Sequence, residues 1–202
     1  MRNDIRLLRS IPKFVITVAV VAMVMTAATA FAGGDRGRKG LFLGLNAGWG
    51  SAGYSSQIGK QTLTDDPFSG GAGGLRFGYA FSNSFALSLE GYGFGTDRNE
   101  ESWGLGAGFL TVTWWPDGSG FFLRMGLGGG GGDILRRDTG KLVHFEEKGA
   151  GLFGFGYEWK LGRKFALGLA ADAIGFDLEG ASGLEDDMAG LGIFSIQFNW
   201  YL

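Results

Sequence analysis

From residue 40 onward, apolar residues alternate with small or polar ones in runs of about ten, the pattern that puts successive side chains on opposite faces of an extended strand. The alternation predicts eight strands, over about 40–50, 70–81, 85–95, 103–115, 120–130, 149–159, 165–176 and 189–202. In the first, Leu41, Leu43, Leu45, Ala47 and Trp49 share one face and Gly44, Asn46 and Gly48 the other. In the second, Leu75, Phe77, Tyr79 and Phe81 oppose Arg76, Gly78 and Ala80; in the third, Phe85, Leu87 and Leu89 oppose Ala86, Ser88, Glu90 and Tyr92. In the fourth, Leu105, Ala107 and Phe109 are out of phase with Leu110, Val112 and Trp114, which predicts a bulge near Gly108. The last three strands set Phe153, Phe155, Tyr157 and Trp159 against Glu158, Phe165, Leu167 and Leu169 against Asp172, and Phe194, Ile196, Phe198 and Trp200 against Ser195, Gln197 and Asn199.

The connections alternate in length. Ser82–Ser84, Pro116–Ser119 and Lys160–Lys164 are tight, whereas 51–69, 96–102, 131–148 and 177–188 are longer and polar. Short turns at one end and long loops at the other are the arrangement of a transmembrane barrel. A three-residue turn at 82–84 sets Phe81 opposite Phe85 and, counting back, Arg76 opposite Glu90. Asp117-Gly118 suits a two-residue turn, which would set Trp114 opposite Phe121, Val112 opposite Leu123 and Leu110 opposite Met125.

The residues before the strands decide the compartment. Arg2, Arg6, Arg9 and Lys13 precede an apolar run from Phe14 to Thr29, and Ala28-Thr29-Ala30 and Ala30-Phe31-Ala32 offer cleavage sites. This is the layout of a secretory signal peptide over 1–30, cleaved after Ala30 or Ala32, with an N-terminal segment 31–39 before a barrel over 40–202. An uncleaved anchor is the competing reading, opposed by an apolar run short of ~20 residues. Removing the signal leaves 14 Lys/Arg against 19 Asp/Glu, a net of −5, with no basic surplus to suggest nucleic acid. No cysteine is present, which excludes disulfides and thiol metal sites.

No later apolar stretch reaches the length of a membrane helix, so a mature chain in a membrane must cross as a closed barrel. Tyr79, Phe81, Phe85, Trp114, Phe121, Trp159, Phe165 and Trp200 cluster toward the short-turn end, and Trp49, Trp103 and Phe176 toward the long-loop end, which predicts two aromatic girdles. A soluble periplasmic sandwich would alternate too, but without girdles. The three prolines avoid every strand interior. Phe77-Gly78-Tyr79 then Phe85-Ala86-Leu87 recurs as Phe155-Gly156-Tyr157 then Phe165-Ala166-Leu167, as in a barrel built of repeated hairpins.

Signal peptide, eight alternating strands and the closing run Phe194-Ser195-Ile196-Gln197-Phe198-Asn199-Trp200-Tyr201-Leu202 together resemble the small outer-membrane β-barrels, the OmpA-like transmembrane domain and its OmpX- and OmpW-type relatives. The resemblance implies an all-β, eight-stranded antiparallel transmembrane barrel in a Gram-negative outer membrane, in contact with lipids and lipopolysaccharide. It also implies that Phe198, Trp200 and Leu202 carry the C-terminal signal read by the barrel assembly machinery. The family's last residue is usually Phe, and here it is Leu202.

The face that alternation turns inward carries Arg76, Glu90, Arg124, Glu158 and Asp172. Charges in so narrow a barrel are read first as structural plugging and second as a gated ion path, because eight strands leave an interior just wide enough for side chains. The expected function is therefore a structural or surface-interaction role without catalysis, cofactor or metal. The alternative is a narrow channel for small or hydrophobic solutes, and the third reading a lipid A-modifying enzyme. Against the third, His144 is expected in the 131–148 loop with no serine close by in sequence, so no nucleophile–base dyad is evident. Gly128 to Leu135 has the form of a single calcium nonapeptide with Asp133, an architecture that needs tandem copies, and it lacks the Lys of a phosphate loop. The acidic Asp65-Asp66 and Glu185-Asp186-Asp187 and the basic Arg136, Arg137 and Lys141 fall in expected external loops, where charge runs are usually solvated.

Overall fold

A computed structural model describes residues 37–58, 61–64, 67–98, 101–116, 118–136, 141–178 and 187–202. The signal-peptide reading of 1–30, residues 31–36, and the acidic Asp65-Asp66 and Glu185-Asp186 lie outside them. The described residues form nine strands: β1 (Gly40–Ile58), β2 (Gln61–Thr64), β3 (Phe68–Ala80), β4 (Phe85–Arg98), β5 (Glu101–Trp114), β6 (Phe121–Arg136), β7 (Lys141–Lys160), β8 (Phe165–Leu178) and β9 (Asp187–Tyr201). β2 is a short strand paired to the far end of β1. The eight long strands pair antiparallel in chain order, and β9 returns to β1 from Phe42↔Tyr201 to Ser55↔Met188. That closure leaves no edge along the ring of eight long strands, so the backbone groups of its ladders are paired without water. Among the described residues no helix is long and apolar enough to cross a membrane.

The alternation sorts side chains as expected on the half of the barrel bearing the short turns. Leu41, Phe77, Tyr79, Leu87, Val112, Phe155, Ile196 and Phe198 point outward and are exposed, while Arg76, Ser88, Arg124, Glu158 and Gln197 are buried inside. An exterior of exposed aromatic and aliphatic residues on a closed barrel is a lipid-facing surface. Phe81 N–H donates to the Phe85 carbonyl at 3.0 Å, and the register brings Arg76 opposite Glu90.

Four expectations are corrected. The β5–β6 turn is wider than two residues: Trp114 faces Leu123, Val112 faces Met125 and Leu110 faces Leu127. Pro116 is the reason. It lacks an N–H for the ladder but suits the second position of a turn closed by Gly118 N–H on the Trp115 carbonyl at 3.1 Å, with Gly118 at φ 68°. A shift of two keeps every face, so the apolar pairing survives with different partners.

The bulge near Gly108 is absent, because β5 pairs without interruption with β4 through Gly91↔Gly108 and with β6 through Gly108↔Gly129. The register shifts instead between Gly128 and Gly131 and between Glu147 and Gly149. The phase change in β5 is a change of content: Leu105, Ala107 and Phe109 point into the barrel, and Gly104, Gly106 and Gly108 point out.

The long-loop girdle fails for the same reason. Trp49 points outward at 65% exposure, but Phe176 is 2% exposed inside the lumen, and Trp103 packs on Phe68 with ring centroids 4.9 Å apart. On this half most outward positions are glycines, and a Cβ added at Gly71, Gly91, Gly108, Gly151 or Gly175 would meet nothing within 4 Å.

Finally, the strands run beyond their expected ends. Residues 131–136 and 141–148 extend the β6–β7 ladder, so His144 stands opposite Asp133 and Arg136 opposite Lys141 within paired strand rather than in a loop. An antiparallel ladder can continue past the apolar band because its backbone bonds do not depend on side-chain polarity.

Candidate functional site

The site is the lumen, and strand alternation builds it in three layers. At the short-turn end Phe42, Ala80, Ala86, Trp115, Phe122, Ala166, Ala170 and Tyr201 pack together. At the far end Tyr92, Phe94, Phe109, Leu152, Ile174, Phe176, Leu191 and Ile193 form a second apolar cluster. The charged residues lie between and beside these clusters.

Glu90 is the hub of the central network. Arg76 Nε lies 3.0 Å from its Oε1, an ion pair whose N–H is not aligned on the oxygen, and Arg76 also donates to Gln197 Oε1 at 3.1 Å. Arg124 donates to Glu90 Oε2 at 3.2 Å and to Asp172 Oδ1 at 2.5 Å. Thr111 and Ser88 hydroxyls donate to Glu90 Oε1 at 2.7 and 2.9 Å, and the Tyr92 hydroxyl to Oε2 at 3.0 Å. Both carboxylate oxygens are thus shared among several donors, which is what lets an ionised group persist away from water. Tyr92 on β4 also reaches Asp172 Oδ2 on β8 at 3.4 Å. In an eight-stranded ring these strands stand diametrically opposite, so side chains from opposite walls meet across the lumen.

Glu158 is the second hub, nearer the short turns. It accepts Arg38 Nε–H at 2.7 Å, Asn199 Nδ2–H at 2.6 Å, and the Tyr201 hydroxyl at 3.1 and 3.2 Å. Arg38 also donates to the Gly118 and Asn83 carbonyls at 2.9 and 3.3 Å and stacks 4.7 Å above Trp115. The segment before β1 therefore reaches across the mouth of the barrel and ties two turns to its lining.

All five charges expected inside are buried there, divided between two networks. Arg38, 1% exposed, is the residue that the sequence reading missed. Two signals pointed to it: it continues the inward period of Phe42 and Gly44 backward by twos, and two arginines against three carboxylates left the lumen one cation short. With Arg38 the described lumen residues hold three charges of each sign. Of the C-terminal residues, Phe198 and Trp200 alternate with the buried Asn199 and Tyr201 and so share the outward side of the last strand, and Leu202 follows its end.

Comparison with known proteins agrees with this geometry. The structure resembles Neisserial surface protein A, with a TM-score of 0.59 at 11% identity, covering 81% of this chain and 98% of that one. The chain has the fold of the small outer-membrane β-barrels. Weaker likenesses include the attachment invasion locus protein Ail of Yersinia pestis (TM-score 0.47, 12% identity, 80% and 99% covered) and OprG of Pseudomonas aeruginosa (TM-score 0.43, 17% identity, 81% and 96% covered). No family model and no curated protein matches the sequence. Among the described residues no cluster of His, Asp and Glu is arranged to hold a metal ion.

Proposed function

We propose that this barrel is a non-conducting outer-membrane protein that acts through its surfaces, as a structural or surface-interaction element in contact with lipids and lipopolysaccharide. One observation carries the reading: Arg124, Glu90, Tyr92 and Asp172 join opposite walls of the lumen, with apolar packing on either side. Passage of an ion would require breaking buried, multiply bonded ion pairs, each costing about 3–5 kcal/mol when left uncompensated. Catalysis is not part of the proposal. The buried Ser88 and Thr111 hydroxyls are occupied by Glu90, and the level of Thr111 lies eight residues along β7 from His144, about 26 Å at ~3.3 Å per residue. The reading further holds that residues 1–30 are removed on export and that Phe198, Trp200 and Leu202 address the chain to the barrel assembly machinery.

Planar-bilayer recording of the refolded barrel tests the proposal. No discrete conductance is expected. Steady unitary openings would instead favour the narrow-channel reading, and altered lipid A acylation in expressing cells would favour an enzyme.

A further inference from the structure

Among the described residues of the short-turn end, the exposed cations are concentrated in one sector. Among the described residues the six lumen charges cancel, and the sequence segments 51–69, 96–102, 131–148 and 177–188 hold 14 Asp/Glu against 6 Lys/Arg. At the short-turn end, which faces the periplasm in such barrels, the turns at Ser82–Ser84 and Pro116–Ser119 carry no cation. The β7–β8 turn, by contrast, reads Lys160-Leu161-Gly162-Arg163-Lys164. Lys39 enters β1 nearby, since β9 separates the two and Tyr201 N–H donates to the Lys164 carbonyl at 2.7 Å. Lys39, Lys160 and Arg163 are exposed and Lys164 half-buried.

This cationic sector is held in place and is continuous with the lipid-facing wall. Leu161 N–H donates to the Phe165 carbonyl at 3.0 Å, closing the turn, and the buried Arg38–Glu158 pair anchors the residues next to Lys39 and Lys160. Leu161 is 61% exposed at the turn itself, directly after Lys160 and two residues from Trp159, which packs on Tyr157 with centroids 5.0 Å apart. A leucine left exposed among cations gains nothing from water. It suits the boundary where acyl chains meet headgroups, with the aromatic belt beneath it and the charged tips above.

We propose that this sector of the periplasmic rim is a binding site for an anionic phospholipid of the inner leaflet. Lys39, Lys160, Arg163 and Lys164 take the phosphate, and Leu161 and Trp159 lie along the upper acyl chains. Cell-wall polymer also carries negative charge, but it is hydrated and has no use for Leu161, so the lipid is the occupant that both the charge and the apolar surface fit.

The test uses the full barrel refolded into nanodiscs of phosphatidylethanolamine with a minority of phosphatidylglycerol, with retained lipids counted by native mass spectrometry. Phosphatidylglycerol should be enriched on the wild-type barrel, and the enrichment should fall as salt is raised. The triple variant K160Q/R163Q/K164Q should lose it, by roughly fivefold for each cation removed, while Arg136→Gln at the opposite end should keep it. Heat-dependent gel migration establishes that each variant is folded, and the salt series on the wild type needs no variant. Equal retention of the two lipids by the wild type, or undiminished enrichment on the triple variant, would overturn the proposal. So would binding to purified peptidoglycan without lipid enrichment, which would assign the cations to the cell wall.

Discussion

At the scale of single residues, the lumen is governed by which donors each buried carboxylate can collect. Glu90 accepts from Ser88, Thr111, Tyr92 and Arg124 and pairs with Arg76, so no one arginine owns it. Removing Glu90 strands charge on Arg76, whose remaining partner is the amide oxygen of Gln197, while Arg124 keeps Asp172. Glu90→Ala is expected to lower the stability of the refolded barrel by about 3–5 kcal/mol, and Arg76→Ala by less, because Glu90 keeps Arg124 and three hydroxyl donors. The double variant should fall short of their sum by more than about 0.5 kcal/mol. Urea unfolding in lipid vesicles measures the cycle, and strict additivity would mean that the two charges are screened from one another. The Arg76–Glu90 juxtaposition follows from counting back along a three-residue turn. The sharing of Glu90 with Arg124 does not, because it depends on how far a side chain reaches across two intervening ladders.

At the scale of elements, each strand reads differently in its two halves. Near the short turns the outward positions are mostly large and apolar; further along they are mostly glycine, while most apolar side chains turn inward. Period two was legible throughout. Which face was which was legible only where the large residues faced lipid, and the phase change in β5 therefore imitated a bulge. Glycines on the two faces should respond oppositely to a methyl group. At Gly108 a Cβ would meet open space, so Gly108→Ala should stabilise the barrel by about 0.4–1 kcal/mol through lost freedom of the unfolded chain. At Gly156 a Cβ would press on the Leu169 carbonyl and lie 2.5 Å from the Phe122 ring, so Gly156→Ala should cost about 1–3 kcal/mol. Unfolding midpoints of the two variants check this pair, and matching shifts would refute the assignment of faces.

At the scale of the whole molecule, the barrel is closed twice: by the β1–β9 ladder, and by Glu158, which joins Arg38 before the first strand to Asn199 and Tyr201 in the last. The protein should fractionate with the outer membrane and migrate differently on gels with and without boiling. Glu158→Ala should lower the temperature at which the folded band is lost, because it leaves Arg38 buried without its ion-pair partner. Recovery in the soluble periplasm with no heat-dependent shift would refute the membrane barrel itself. The sequence by itself determined the strands, their alternation, the short and long ends and the inward charges, because a two-residue period and turn chemistry are local properties of an extended chain. Tertiary structure alone decided that the apolar side chains of the outer half turn inward and that Glu90 and Glu158 are shared across the lumen. Each of these depends on what stands across the lumen or in a neighbouring turn, at a distance along the chain that no local pattern encodes.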